Sequence, residues 1–241
     1  MSSDSGRLIA VGDVRGCGHA FQTILKSIAP TADDQLVFLG DLIDQGRDSA
    51  EVLDQLIELQ NVCDVVVIKG NHEEMLFAAQ EGDVALRYWE NCGGVSTLNS
   101  YRFGATLSDI PPEHWALLSS CQPYYETDRF ILTHANYRPD LPMAEQKAYQ
   151  LRWALLEPDE MEPHQSGKTV VVGHTEQKNS EVLDLGFVIC IDTACWRHGW
   201  LTAIELNTGE LWQASRWGML REPEEPTHRG LVPVGSKNGA S

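Results

Sequence analysis

Apolar residues fall in short runs along this chain, and three early runs end alike. Leu8–Val11 passes into Gly12-Asp13, Leu36–Leu39 into Gly40-Asp41, and Val65–Ile68 leads to Gly70-Asn71-His72-Glu73. Four apolar residues closed by glycine predict a buried strand. Between these runs the spacing changes. Phe21–Ile28 repeats at helical intervals and is stopped by Ala29-Pro30. Val52, Leu53, Leu56 and Ile57 mark one face of a second helix, for which Ser49 is the expected cap, and a third helix is expected from about Glu73. Strand and helix alternate, the order of an α/β sheet.

The middle is more helical, with Pro111-Pro112-Glu113 opening a short helix that ends near Cys121. Strands are expected over Tyr124–Thr127, Arg129–Thr133, Lys168–Gly173, Glu181–Leu185, Phe187–Asp192, Trp200–Leu206 and Glu210–Ala214, with turns at Asp128, Gly186 and Asn207-Thr208-Gly209. An alternating front half and a hairpin-rich back half predict two sheets packed face to face and covered by helices. The expected domain spans 6–216. From Arg221 onward Pro, Glu, Gly and Ser dominate, which predicts a mobile tail over 221–241.

Composition narrows the function. Over 241 residues the formal charge is −17, which argues against nucleic acid and anionic membrane as partners. No run nears the ~20 apolar residues of a membrane span, and the start lacks the regions of a signal peptide, so a non-secreted, cytoplasmic protein is expected. Six cysteines form no C-x-x-C pair, which speaks against a zinc ribbon or a thioredoxin-like site. The seven tryptophans read as core and edge packing.

The strand ends carry the chemistry. Two later runs, Phe130–Thr133 and Val170–Gly173, deliver His134 and His174. One histidine at a strand end is ordinarily a buried, hydrogen-bonded ring. Five strand ends that all carry Asp, Asn or His are better metal chemistry than packing chemistry, and the carboxyl edge of an α/β sheet is where such sites lie.

In order, Gly12-Asp13-x-x-Gly16, Gly40-Asp41-x-x-Asp44-x-Gly46, Gly70-Asn71-His72-Glu73, His134-Ala135 and Gly173-His174-Thr175 resemble the metallophosphoesterases. Within them the chain is similar to the bacterial branch of the serine/threonine phosphoprotein phosphatases, a branch that also holds dinucleoside-tetraphosphate hydrolases. The likeness runs from about Leu8 to Gln213, and Asn91-Cys92-Gly93-Gly94, Ile110–His114 and Ile191-Asp192-Thr193 add to it. It implies a four-layer α/β sandwich with two mixed sheets flanked by helices. It also implies a two-metal centre, with Asp41 bridging, Asp13 on the first ion, and Asn71, His134 and His174 on the second. Mn²⁺ is the foremost choice, Fe or Zn²⁺ the others. Asp44 and His72 look like the family's acid pair, His72 protonating the departing oxygen as metal-bound hydroxide attacks. The implied activity is hydrolysis of phosphomonoesters, foremost as a serine/threonine protein phosphatase, on a phosphorylated protein or a small phosphoester. A dinucleoside-polyphosphate hydrolase, or a catalytically weakened or inactive phosphatase-like binding protein, are the alternatives.

Three positions depart from the family pattern. Arg15 stands where the family has a metal-ligating histidine, and arginine has no lone pair to give. Gln45 replaces a phosphate-gripping arginine, and Trp153-Ala154-Leu155 replaces Trp-Ile-Arg. The Arg15 guanidinium is therefore expected to sit against Asp13 and Asp41 in place of the first ion, leaving one tight ion and a second that is weak or absent. Arg15, Arg47 and Arg152 are the expected grips on the substrate. His19, one turn beyond Arg15, is an alternative ligand but reads better as a surface residue.

Overall fold

The computed structural model describes residues 6–222, so the expected tail lies, but for its first two residues, outside the described residues. Strands buried on both faces read as unbroken apolar runs, and the parallel strands here follow that rule. β1 (Leu8–Val11), β2 (Gln35–Phe38) and β3 (Asp64–Val67) are parallel and joined through α1 (Gly18–Ile28) and α2 (Ser49–Leu59). Four helices follow: α3 (Asn71–Ala78), α4 (Asp83–Trp89), α5 (Val95–Tyr101) and α6 (Pro112–Ser119). A hairpin of β4 (Tyr124–Glu126) and β5 (Phe130–Thr133) leads through α7 (Ala148–Arg152) to β6 (Thr169–Val172). The chain closes with β7 (Leu183–Asp184), β8 (Val188–Cys190), β9 (Asp192–Thr193), β10 (Trp200–Glu205) and β11 (Leu211–Ser215).

Both sheets are mixed. One has the order β11-β10-β1-β2-β3, with β9 also pairing β10, and the other β4-β5-β6-β8-β7. The division into a front and a back half does not hold. β10 returns from the end of the chain to lie antiparallel beside β1, with Ile9 opposite Glu205 and Val11 opposite Ala203. In the other sheet β5, β6 and β8 are parallel. The reason is edge protection: β1 is buried on both faces, and leaving one side of it unpaired would strand its backbone donors and acceptors.

Period-two alternation sorts the side chains into layers. Ile9, Val11, Leu36 and Phe38 pack with Phe21, Ile24, Leu53 and Leu56 of α1 and α2. On the reverse face Ala10, Val37 and Val66 meet Phe130, Leu132, Val171 and Ile189 of the second sheet. Beyond that sheet Ile131, Val170, Val172 and Val188 face Tyr137, Met143, Leu151 and Leu156. The result is four layers, each such side chain contributing about 1.5–3 kcal/mol by leaving water. Cys63 and Cys190 are buried, and all six cysteines are free thiols. Among the described residues no helix is long and apolar enough to cross a membrane.

Two local expectations change. Ser49 is the first residue of α2 rather than its cap, and its hydroxyl accepts the Asp44 N–H at 3.2 Å. α3 starts two residues early, at Asn71, because the Glu73 carboxylate reaches back to the Gly70 N–H at 2.9 Å and closes the first turn.

Candidate metal-binding active site

The carboxyl ends of β1, β2, β3, β5 and β6 converge, and their first polar residues meet there. Close approach requires glycine before the ligands. A Cβ on Gly40 would lie 2.6 Å from the Gly70 nitrogen, and one on Gly70 would lie 2.1 Å from Asp41 Oδ1. The two turns are tied by buried Glu73, whose carboxylate accepts the N–H groups of Asp41, Leu42 and Gly70 at 2.8–2.9 Å. Arg15, Asp41, Asp44, Gln45 and His174 all hold left-handed φ angles of +49°, +50°, +78°, +57° and +61°. Strain of about 1–3 kcal/mol per residue is thus concentrated at the site.

Asp41, His134 and His174 bring one ligand atom each to within 4.8 Å of one another. His134 Nδ1 donates to the Leu39 carbonyl at 2.8 Å, which leaves Nε2 as a lone pair facing Asn71 Oδ1 at 3.1 Å and Asp41 Oδ1 at 3.4 Å. His174 Nε2 donates to the Trp153 carbonyl at 3.1 Å, and its buried Nδ1 has no partner among the described residues. Burial, reinforced by the neighbouring imidazole of His134, pushes His174 down to about 4. Burial, with Arg15 nearby, also lowers His134. Both rings are therefore neutral near pH 7, as ligands must be. Four acceptors turned on one point repel each other unless a cation lies among them. Carboxylate, amide and imidazole together fit a divalent transition metal.

Arg15 fills the adjoining space. Its Nε and Nη2 donate to Asp13 Oδ2 at 3.3 and 3.1 Å, and Nη2 lies 2.7 Å from Asp41 Oδ2. Nη1 donates to Gln45 Oε1 at 3.1 Å and to His72 Nε2 at 2.6 Å. The guanidinium is buried, hydrogen-bonded to Asp13, Gln45 and His72 and ion-paired with Asp41, so it supplies fixed charge rather than a grip on substrate. Burial pushes Asp41 up, but Arg15 and the surrounding imidazoles overrule it and hold the carboxylate below its ordinary range. Asp13 ends at about 7, because burial outweighs Arg15.

His72 and Asp44 meet as the motifs imply. His72 Nδ1 donates to Asp44 Oδ2 at 2.6 Å. Trp89 Nε1 donates to the same oxygen at 2.9 Å, and the Thr97 hydroxyl to Oδ1 at 2.6 Å. Asp44 is thus fully bonded, and His72 is fixed with Nε2 accepting from Arg15. No sequence signal marked Trp89 or Thr97, although Gly94 hints at the first. A Cβ there would lie 2.4 Å from the Trp89 ring.

A cleft of about 370 Å³ opens beside His72, lined among others by Gln45, Asn71, Tyr88, Trp153, Trp196 and Arg197. Neither Arg47 nor Arg152 is in its wall. Arg47 is exposed just before α2, and Arg152 pairs with Glu74, which also accepts Trp153 Nε1. Closeness in sequence to a lost arginine did not set their direction. Arg197 is the cation that does line the cleft, and the sequence reading missed it. Trp196, expected to be packing, is in the wall as well. His19 is a surface residue, 3.8 Å from Asp48. Asp192 and Thr193 bond to Ala194 N–H and the Trp200 carbonyl, and neither hydrogen-bonds a site histidine.

A family model described as calcineurin-like phosphoesterase matches residues 6–193. A bis(5'-nucleosyl)-tetraphosphatase (symmetrical) of Nitrosomonas europaea is 30% identical over 132 residues, 54% of this chain and 45% of that protein. The match therefore spans less than half of that relative's length. Among solved structures, a protein assigned as a diadenosine tetraphosphatase superposes with a TM-score of 0.65 at 21% identity, covering 89% of this chain and 95% of that one. A cold-active protein-tyrosine phosphatase of a psychrophilic Shewanella superposes with a TM-score of 0.62 at 18% identity, over 90% of this chain and 80% of that one. At such identities the superpositions speak for the fold alone.

Proposed function

Because this chain belongs to the calcineurin-like phosphoesterase family, a family of divalent-metal hydrolases, we propose that it cleaves phosphoanhydrides of the dinucleoside-polyphosphate class. Asp41, Asn71, His134 and His174 would hold one divalent ion, Mn²⁺ first and Fe or Zn²⁺ next. When bound, such an ion acidifies water and polarises a phosphoryl oxygen. Arg15 stands where Asp13 would otherwise share a second ion, and it supplies a fixed positive charge between Asp13 and Asp41.

The contact between Arg15 Nη1 and His72 Nε2 carries this reading. Arginine only donates, so the nitrogen that would hand a proton to the departing oxygen is already an acceptor. An alkoxide leaving from phosphoserine needs that proton. A nucleoside phosphate leaves as a stabilised anion and does not. The leaving-group argument and the name of the Nitrosomonas relative support the same class. They favour it over the serine/threonine phosphatase that the motifs alone suggest.

The test compares manganese-loaded protein on diadenosine tetraphosphate and on a phosphoserine peptide. Nucleotide products should form with a kcat/KM roughly a hundredfold or more above that for the peptide, the scale of a missing general acid. Faster hydrolysis of the peptide would sink the proposal.

A further inference from the structure

Arg15 is buried and outside the cleft wall, Gln45 cannot replace a lost guanidinium, and Arg47 and Arg152 are not in that wall either. A protein of charge −17 that takes an anionic substrate still needs a cation at the mouth of its cleft. Among the described residues lining it, Arg197 is the only lysine or arginine. Its side chain is 53% exposed, and its Nε lies 2.9 Å from Glu176 Oε2. Among the described residues nothing pairs with its Nη1 or Nη2, so both are available to a ligand.

Arg197 does not stand alone. Its guanidinium lies over the Trp196 ring, 4.4 Å from the centroid. Trp196 Nε1 donates to the other oxygen of the same Glu176 at 2.6 Å, and the Trp196 carbonyl accepts Arg216 Nη1 at 2.8 Å. One carboxylate therefore sets both the indole and the guanidinium before any ligand arrives, which lowers the entropic cost of binding. Tyr88, 55% exposed, and Trp153 line other parts of the same cleft. Three aromatic rings and one cation around about 370 Å³ make poor chemistry for a peptide side chain. They make good chemistry for a flat heterocycle joined to phosphates.

We infer that Trp196 and Arg197 are the seat of the substrate's nucleoside end: the base stacks on the indole face that Arg197 does not cover, and Arg197 Nη1 and Nη2 grip the outer phosphates. The inference rests on the phosphoanhydride reading for its substrate class, and it names the residues that would select that class. A bare phosphate chain meets Arg197 and the metal site but leaves the indole unused.

Calorimetry on the full, manganese-loaded chain with ADP and with pyrophosphate tests this apart from turnover. Wild-type protein should bind ADP about tenfold or more tighter than pyrophosphate, the scale of one base stacked on an aromatic ring. Trp196→Ala should remove most of that preference, and Trp196→Phe should keep most of it. Arg197→Ala should weaken both ligands, and because the side chain is exposed it keeps the test open should Trp196→Ala fail to fold. Equal affinity for the two ligands in wild type, a preference surviving Trp196→Ala, or unchanged affinity for both in Arg197→Ala would each overturn the inference. Loss of diadenosine tetraphosphate hydrolysis with the ADP preference intact would instead strike the proposed reaction and leave the seat standing.

Discussion

A guanidinium differs from a divalent ion by one unit of charge, and the residues around Arg15 register the shortfall. Asp13, Asp41 and Asp192 are buried together with this single cation. Burial pushes Asp192 well above the ordinary carboxylate range, with Asp13 adding to it. One divalent ion on Asp41, Asn71, His134 and His174 would bring the formal sum of these groups to zero. Arg15→His should change both stoichiometry and chemistry. Histidine tolerates the left-handed backbone there better than most residues, and it offers a lone pair beside Asp13. Elemental analysis should then rise from about one bound metal equivalent toward two, the occupancy of a two-metal site. With His72 Nε2 released, hydrolysis of a phosphoserine peptide should increase. A variant that still holds a single equivalent, or a natural protein that already holds two, would end the account of Arg15 as a stand-in.

At the scale of elements, the two ends of the first sheet serve different purposes. The carboxyl ends of β1 and β2 carry strained turns and ligands. Near their amino ends, Asp34 accepts from Arg7 N and Nε at 3.1 and 2.9 Å and from Arg7 Nη2 at 2.6 Å, and the Thr31 N–H and hydroxyl join at 2.8 and 3.1 Å. The Arg7 hydrogen bond, against the opposing effect of burial, holds the Asp34 carboxyl well below its usual range. A carboxylate whose folded-state pKa is depressed adds stability above its unfolded value, and that stability fades as pH falls toward the folded value. Asp34→Asn should cost about 1.5–3 kcal/mol in urea denaturation at neutral pH, the worth of hydrogen bonds to a charged group. The gap to wild type should narrow once pH drops below about 4, where an ordinary carboxyl takes its proton. A gap that stays constant down to strongly acid pH would show that the ion pair contributes nothing.

For the molecule as a whole, a metal that binds only the folded state raises stability by mass action. At a hundredfold excess over Kd this amounts to about 2.7 kcal/mol. Chelation should therefore lower Tm, and adding Mn²⁺ back should restore it. The restored increment should shrink as pH falls toward about 4, where His174 takes up its proton. A Tm indifferent to chelator would mean that the cluster is not a metal site. The parts of this site legible in the sequence are those at strand ends, because glycine followed by Asp, Asn or His is a local signal. Arg15 was legible as well, since the family pattern made its substitution conspicuous. Trp89 and Thr97 were not: they reach Asp44 from α4 and α5, and nothing in their spacing announces a partner some fifty residues away. Arg197 sits in the bend between β9 and β10, where direction is set by Glu176 rather than by periodicity.

The pairing of β10 with β1 also bears on how the molecule comes into being. β1, which runs into Gly12-Asp13, takes one of its two neighbours from far along the chain, since Ile9 lies opposite Glu205. Its sheet stays open along that side until β10 has been made, and contacts so distant in sequence are slow to form. Nascent chains halted before Trp200 should therefore be protease-sensitive around β1, and chains that include β11 should not.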